Sequence, residues 1–200
     1  MSFWVKWFIF TGALFVPSVD LYMDQSMPLH MVVQTLIFLA LGWAASARLE
    51  KVDFAAIDPG GATGYSFLLG CTIFWMLPRS LDFTLTSEWM DKLFHVSTLL
   101  AGFCLRKSLP RASLVLHYLF GFNLVSMLGA MGVFYLAYQS RACTSYTLEE
   151  QREAGKLLLA VCGLLFLLLG RVGLKSLANM GPREGEHAPS IAETHPLEAK

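Results

Sequence analysis

Two pairs of side chains that can bind a metal ion or a proton lie inside apolar stretches of this sequence. His30 and Gln34 are four residues apart, and Asp91 and His95 have the same spacing, which places each pair on one face of a helix. Such a pair can present two ligands to one metal ion, or a carboxylate can orient and charge an imidazole. It can equally be a structural pair that joins two helices of a bundle.

Methionine residues accumulate near the same ends of these stretches, and acidic residues flank them. Thioethers suit Cu(I), imidazole suits copper in either oxidation state, and acidic flanks attract cations. These residue types therefore indicate copper chemistry. The methionines concerned are Met23, Met27, Met31, Met76 and Met90.

The composition indicates that membrane helices position these residues. Hydrophobic residues make up 55% of the 200 residues and charged residues only 15%, against about 25% charged in soluble domains. The formal net charge is +0, so a basic nucleic-acid-binding surface is not indicated. The sequence has no Cys-x-x-Cys, phosphate loop, dinucleotide fingerprint or nucleophile triad. This argues against a zinc or disulfide scaffold and against a conventional enzyme.

Six apolar segments are predicted to cross a bilayer, which takes about 20 residues for each helix. They cover residues 3–19, 29–47, 64–77, 88–105, 112–138 and 149–172. A short polar linker containing Arg79, Asp82 and Glu88 is predicted between the third and fourth segments. We therefore expect an all-α, polytopic membrane bundle of six transmembrane helices over residues 1–177. The tail at 178–200 is rich in Gly, Pro, Glu and His and is predicted to be disordered and cytoplasmic.

The placement of basic residues predicts the orientation of this bundle. The tight turn at 106–111 carries a dense group of positive charges, and such loops remain in the cytoplasm. Both termini are then cytoplasmic (N-in/C-in). The His, Met, Asp and Gln side chains of four helices fall in the outer half of the membrane, whereas His117 falls in the inner half.

Several short motifs occur in a fixed order between residues 27 and 163. They are Leu-His-Met-Val-Val-Gln at 29–34, Trp-Met-Leu-Pro at 75–78, Asp-Lys-Leu-Phe-His at 91–95 and Leu-Glu-Glu-Gln at 148–151. In their order and intervals they resemble the CtaG-type cytochrome c oxidase assembly factor family of bacterial membrane proteins. That family has histidine or glutamate where this chain has Gln34, Met76, Asp91 and Phe94.

The resemblance implies a copper-handling assembly factor for a haem-copper (cytochrome c) oxidase, multi-pass in the bacterial inner (plasma) membrane. Membrane lipid and subunits of the oxidase, or of another membrane redox complex, are the expected partners, without nucleic acid. Copper would be bound in the outer half of the bundle. The implied copper ligands are His30, Met76, Asp91 and His95, with Gln34, Asp82 and Gln151 as the side chains that orient them.

Other functions fit parts of the same pattern. The replacement of imidazoles by Met, Asp and Gln favours a metal-free structural or accessory subunit of a membrane oxidoreductase complex. A b-type haem protein would use two of His30, His95 and His117 as axial ligands. A transporter is a further alternative, although no inverted repeat or pair of broken helices stands out.

Overall fold

The computed structural model describes residues Gly12, 22–49 and 54–179 of the chain. Apart from Gly12, the predicted first span at 3–19 lies outside these residues, as does all but the first two residues of the predicted tail at 178–200. The described part is helical and contains no strand. Its main helices are α1 (Leu29–Arg48), α2 (Ala62–Met76), α3 (Pro78–Thr86), α4 (Glu88–Ser108), α5 (Leu114–Ala137) and α6 (Leu148–Asn179).

The first of these helices, α1, begins with a π-helical turn, Leu29–Gln34, and continues as the α-helix Thr35–Arg48. Single π-helical turns are rare, and those that occur are often found at functional sites. The Thr35 hydroxyl donates to the Met31 carbonyl at 2.7 Å, which gives this wide turn a side-chain hydrogen bond. The turn buries His30, Met31, Val32 and Gln34.

The second helix, α2, ends at Met76, one residue before the predicted end at 77, because Pro78 opens the next helix. The prediction of a polar linker after this point is wrong, since the chain forms the nine-residue helix α3. Proline fits the first position of a helix because the N–H of that position has no helical acceptor. The third helix is amphipathic and buries Ser80, Leu81 and Thr84.

Close backbone contact joins α1 and α4, the most extensive contact of α1 with another helix. A Cβ atom added at Gly42 would lie 1.8 Å from the Leu99 carbonyl oxygen, and one at Gly102 would lie 2.1 Å from the Leu39 carbonyl oxygen. Only glycine therefore fits at this crossing, a device that is common between membrane helices. The crossing fixes the register of α1 against α4.

The fifth and sixth helices, α5 and α6, pack along each other and close the bundle on its other side. Tyr135 of α5 is fully buried, and its hydroxyl donates to the Met76 carbonyl at 2.9 Å. This hydrogen bond ties α5 to the end of α2. The apolar core around Tyr135 contains Met27, Met31, Met76, Leu81, Leu128 and Leu158.

Three described helices are long and apolar enough to cross a membrane: Leu29–Arg48, Leu114–Ala137 and residues Leu148–Lys175 of α6. Large apolar side chains of α6 remain exposed, including Phe166 at 58% and Leu167 at 65%. Apolar faces of this extent need lipid or protein to cover them. The fold is therefore that of a helical membrane protein.

Two further helices were predicted as spans and have other properties. The 15-residue α2 is apolar but extends only about 22 Å, less than the roughly 30 Å of a bilayer core. The 21-residue α4 is long enough, yet it carries acidic residues in its first turn and basic residues in its last turn. These charges suit a helix whose two ends reach polar surroundings.

Candidate functional site

His30 lies at the N-terminal end of α1, which together with the C-terminal end of α2 and the N-terminal end of α4 forms the histidine end of the bundle. The side chain is fully buried. Its Nδ1 atom lies 2.5 Å from the Asp24 carboxylate, and its Nε2 atom lies 3.1 Å from the Thr84 hydroxyl. The imidazole thus connects the polar segment before α1 to α3.

The proton positions around His30 are restricted by Thr84. The Thr84 hydroxyl lies 2.7 Å from the Leu81 carbonyl oxygen as well as 3.1 Å from His30 Nε2, and it has one proton to donate. When that proton points to the carbonyl, Nε2 can donate its own proton to the hydroxyl oxygen. When it points to Nε2, Nε2 accepts. The geometry of Thr84 is therefore compatible with a donating or an accepting Nε2.

His95 is the second fully buried imidazole, and it faces α1 from α4. The Gln34 amide nitrogen donates to His95 Nε2 at 2.7 Å, across the crossing of the two helices. An Nε2 atom that accepts a hydrogen bond carries no proton, so the proton of neutral His95 is on Nδ1. The Nδ1 atom lies 3.6 Å from the Asp91 carboxylate, which is beyond a direct hydrogen bond but close enough to orient the ring.

Aromatic rings enclose both imidazoles. Phe94 stacks on His30 with ring centroids 5.4 Å apart, and Phe38 stacks on His95 at 4.4 Å. Trp75 meets the edge of Phe94 at 5.4 Å, and its indole nitrogen donates to Ser97 at 2.9 Å. The rings exclude water from the imidazoles and fix their planes.

Met76, predicted as a ligand together with His30 and His95, lies in the apolar core at the end of α2. Its side chain belongs to the apolar core with Met31 and Leu81, and its backbone carbonyl accepts the Tyr135 hydrogen bond. The thioether lies along the wall of a small cavity together with Met31 and Trp75. The structure thus groups Met76 with another thioether.

Asp82 belongs to a second polar cluster, at the loop between α5 and α6. Its carboxylate accepts from the Thr144 backbone N–H at 2.9 Å, the Thr144 hydroxyl at 3.0 Å and the Ser145 N–H at 3.2 Å. Burial by itself raises the pKa of Asp82, but these hydrogen bonds outweigh it and hold the pKa below its ordinary value. Asp82 therefore anchors the loop to α3, and its hydrogen bonds go to the loop instead of to the histidines as predicted.

Gln151 closes the other side of the same loop and is also buried. Its side-chain oxygen accepts from the Ala142 N–H at 2.7 Å, and its amide nitrogen donates to the Tyr135 carbonyl at 3.2 Å. Gln151 is predicted to orient a metal ligand, and in the structure its hydrogen bonds hold the loop in place. Within the loop, burial raises the pKa of the Cys143 thiol to about 12, with a further contribution from Asp82, so this cysteine stays protonated.

Sequence reasoning missed Asp24 and Thr84 as the partners of His30. For Asp24, its position six residues before a histidine of an apolar segment is a usable signal. Thr84 gave no signal, because its segment was interpreted as a linker instead of a helix. His117 lies at the first turn of α5, where Nδ1 contacts the Ser113 carbonyl at 2.8 Å and the ring meets Tyr65.

The two imidazoles share one arrangement that bears on metal binding. Each has a carboxylate on its Nδ1 side, and each has a neutral partner, Thr84 or Gln34, at Nε2. A carboxylate behind a histidine fixes and strengthens it as a ligand. Within residues 22–49 and 54–179, however, no group of three or more His, Cys, Asp or Glu side chains is placed to hold a metal ion.

Magnitudes decide whether the neutral partners prevent binding. Each neutral hydrogen bond contributes about 1 kcal/mol net, whereas structural zinc sites contribute roughly 10–16 kcal/mol. Opening the Thr84 and Gln34 hydrogen bonds is therefore a small cost beside metal–imidazole bonds. The donor chemistry fits copper once both Nε2 atoms are released.

Comparisons of the chain with protein-family profiles, with curated proteins and with solved structures gave no match.

Proposed function

We propose that this chain is a membrane protein that handles copper during the assembly of a haem-copper oxidase. The observation that supports this most directly is the pair of buried imidazoles, His30 and His95, each with a carboxylate on its Nδ1 side. Copper is cargo in this proposal. It is accepted and released by ligand exchange, without conversion of a substrate, so the protein is not an enzyme.

The proposed roles of the site residues follow from their contacts. His30 and His95 bind through Nε2, which Thr84 and Gln34 release when copper arrives. Asp24 holds the Nδ1 proton of His30, and Asp91 orients His95 from the same helix. The aromatic rings around the imidazoles keep water away, which strengthens electrostatic interactions inside the site.

The proposal also includes three more membrane-spanning segments than the three long apolar helices, and an orientation of the bundle. Residues 3–19 and the helices α2 and α4 would bring the number of spans to six, with both termini in the cytoplasm. The histidine end would then lie in the outer half of the inner membrane of a bacterium. The short α2 is compatible with this if the α3 segment continues its path toward the outer surface.

Copper binding by the purified full-length protein tests the proposal. We expect the wild type to bind Cu(I) under reducing conditions in competition with bicinchoninate, and to bind it far more weakly after His30→Ala with His95→Ala. His117→Ala is the matched control, because its half-buried imidazole lies at the other end of the bundle. Equal copper binding by the wild type and the double variant would refute the imidazole assignment.

A metal-free accessory subunit of a membrane oxidoreductase complex is the second candidate. It is favoured by the full use of both His30 ring nitrogens in contacts with Asp24 and Thr84, a state that needs no metal. This candidate predicts co-purification with a mature redox complex at fixed stoichiometry. Association that survives the loss of both imidazoles, in a protein that binds no copper, would favour it over the first.

A further inference from the structure

A small cavity lies between α1, α2 and α4. Its volume is about 20 Å³, which is room for one water molecule or one metal ion. Three sulfur-bearing side chains line it: Met31 from α1, and Cys71 and Met76 from α2. Phe94 lines the cavity from α4 and also stacks on His30. The cavity therefore lies next to the imidazoles, although neither histidine lines it.

The wall of this cavity is poorly suited to water. Thr35 donates its hydroxyl proton to the Met31 carbonyl, and Thr72 donates its own to the Leu68 carbonyl, both at 2.7 Å. Two of the three threonines in the wall therefore already use their hydroxyl protons within their helices, Thr98 being the third, and a buried water needs about two to four polar partners. Thioether and thiol sulfurs are weak hydrogen-bond partners, but they are good ligands for Cu(I).

We propose that Met31, Cys71 and Met76 form a Cu(I) site that is separate from His30 and His95. The inference deepens the proposed function and rests on it for the arrival of copper at the protein. His30 and Met31 belong to the same π-helical turn, so copper released by the imidazole would have a short path to the sulfur site. The sulfur site would hold copper in its reduced state within the bundle.

Charge balance favours one thiolate beside two thioethers. Cu(I) displaces the proton of the Cys71 thiol, forms the Cu–S bond, and the proton leaves to the aqueous buffer. Copper stays Cu(I), so no oxidant or reductant is consumed. The product, Cu(I) with one thiolate and two neutral thioethers, carries no net charge, which avoids the large cost of an unpaired charge inside a membrane.

X-ray absorption of the full-length protein loaded with Cu(I) in detergent tests this site, because sulfur and nitrogen neighbours scatter differently. We expect sulfur neighbours in the wild type and their loss in Met31→Leu with Met76→Leu, together with at least about a tenfold weaker Cu(I) affinity. Leucine keeps the volume and apolar character of methionine, so the double variant should fold. Far-UV circular dichroism checks that it does.

Met127→Leu with Met131→Leu is the matched control, since these two methionines pack against the core outside the cavity. Cys71→Ser should lower affinity further and abolish proton release on loading. Purely nitrogen or oxygen neighbours in the wild type, or equal affinity of the Met31/Met76 variant, would overturn the sulfur site and leave the imidazole proposal standing. Sulfur-bound copper that persists in the His30→Ala/His95→Ala variant would overturn the imidazole proposal and leave the sulfur site standing. A wild type without Cu(I) affinity would overturn both.

Discussion

The two buried imidazoles differ in the protons that their neighbours allow them. His95 accepts from Gln34, which fixes its tautomer, whereas His30 lies between the Asp24 carboxylate and the Thr84 hydroxyl. The Thr84 contact is compatible with donation or acceptance by His30 Nε2. Single hydrogen bonds at Nε2 therefore hold each imidazole in place.

Replacing Asp24 with Asn tests the charge that faces His30. Asparagine keeps the shape and an acceptor oxygen but loses the negative charge, so the contact with Nδ1 becomes a neutral hydrogen bond. We expect a loss of about 1–2 kcal/mol in the free energy of unfolding. The measurement is the midpoint of thermal unfolding in detergent by circular dichroism.

Glu88→Gln is the control for Asp24→Asn. Glu88 also pairs with a cation, Lys92, but both side chains are largely exposed and water screens their interaction. This variant should unfold at the wild-type temperature. Equal midpoints for all three proteins would show that the charge of Asp24 does not stabilise the buried imidazole.

The loop between α5 and α6 should open at acid pH because of Asp82. Its pKa is held below the ordinary value of 3.8, so the stabilisation that it gives the loop is present above that value and is lost as the pH falls through the folded pKa. Protonated Asp82 is a poorer acceptor for Thr144 and Ser145. Buried Cys143 should then react faster with 4,4′-dithiodipyridine, in a variant whose other cysteines are alanine.

Asp82→Asn separates this effect from general acid unfolding. Asparagine does not titrate, so Cys143 should already react quickly at neutral pH, and its rate at lower pH should follow only the falling thiolate fraction. A wild-type rate that shows no rise relative to Asp82→Asn while the pH falls below about 4 would contradict the role given to Asp82.

At the scale of the elements, the crossing of α1 and α4 positions the imidazoles. Gly102→Val should separate the two helices, because even its Cβ atom would lie 2.1 Å from the Leu39 carbonyl oxygen. We expect a loss of at least about 1–3 kcal/mol in stability, and loss of the Gln34–His95 contact. Thermal unfolding in detergent measures the first, and the ¹⁵N shift of His95 Nε2 measures the second.

Gly163→Val is the matched control for the glycine crossing. It adds the same side chain to another helix, α6, where no atom lies within 4 Å of the added Cβ. Its unfolding temperature should stay near that of the wild type. A Gly102→Val protein as stable as Gly163→Val would show that the crossing tolerates wider spacing.

Helix faces and ends were predictable from the sequence, whereas partners across helices were not. Spacing of four residues placed His30 with Gln34 and Asp91 with His95 on common faces, and Pro78 marked the end of α2. The α3 helix was missed because its composition is polar, which is typical of a linker. Nine residues are too few for the amphipathic pattern after Pro78 to stand out. The contact of Gln34 with His95 depends on the register of two helices, which the glycines set only after packing.

At the scale of the whole molecule, the polar side chains of the candidate site lie at one end of the bundle, and a dense group of basic side chains lies at the other. Asp24, His30 and the Asp82 cluster lie toward the histidine end. At the opposite end, Arg106 lies over the Trp43 ring at 5.2 Å, and Lys107 donates to the Leu49 carbonyl at 2.6 Å. Basic residues occur at both ends, but the turn at 106–111 carries the densest group, and a dense group of this kind fixes orientation in a membrane.

The orientation is testable with two single cysteines in a variant that lacks the native ones. Thr144→Cys lies in the exposed loop at the histidine end, and Gly60→Cys lies in an exposed turn at the basic end with no atom within 4 Å of its Cβ. An impermeant maleimide should label Cys at 144 in intact cells and Cys at 60 only after permeabilisation. This follows because the basic turn stays on the cytoplasmic side while the loop at the other end of the bundle is carried across. The reverse pattern would place the imidazoles in the inner half of the membrane and would contradict the proposed binding of copper at the outer face. Labelling of both cysteines in intact cells would show that the two loops lie on the same side, separated by an even number of spans.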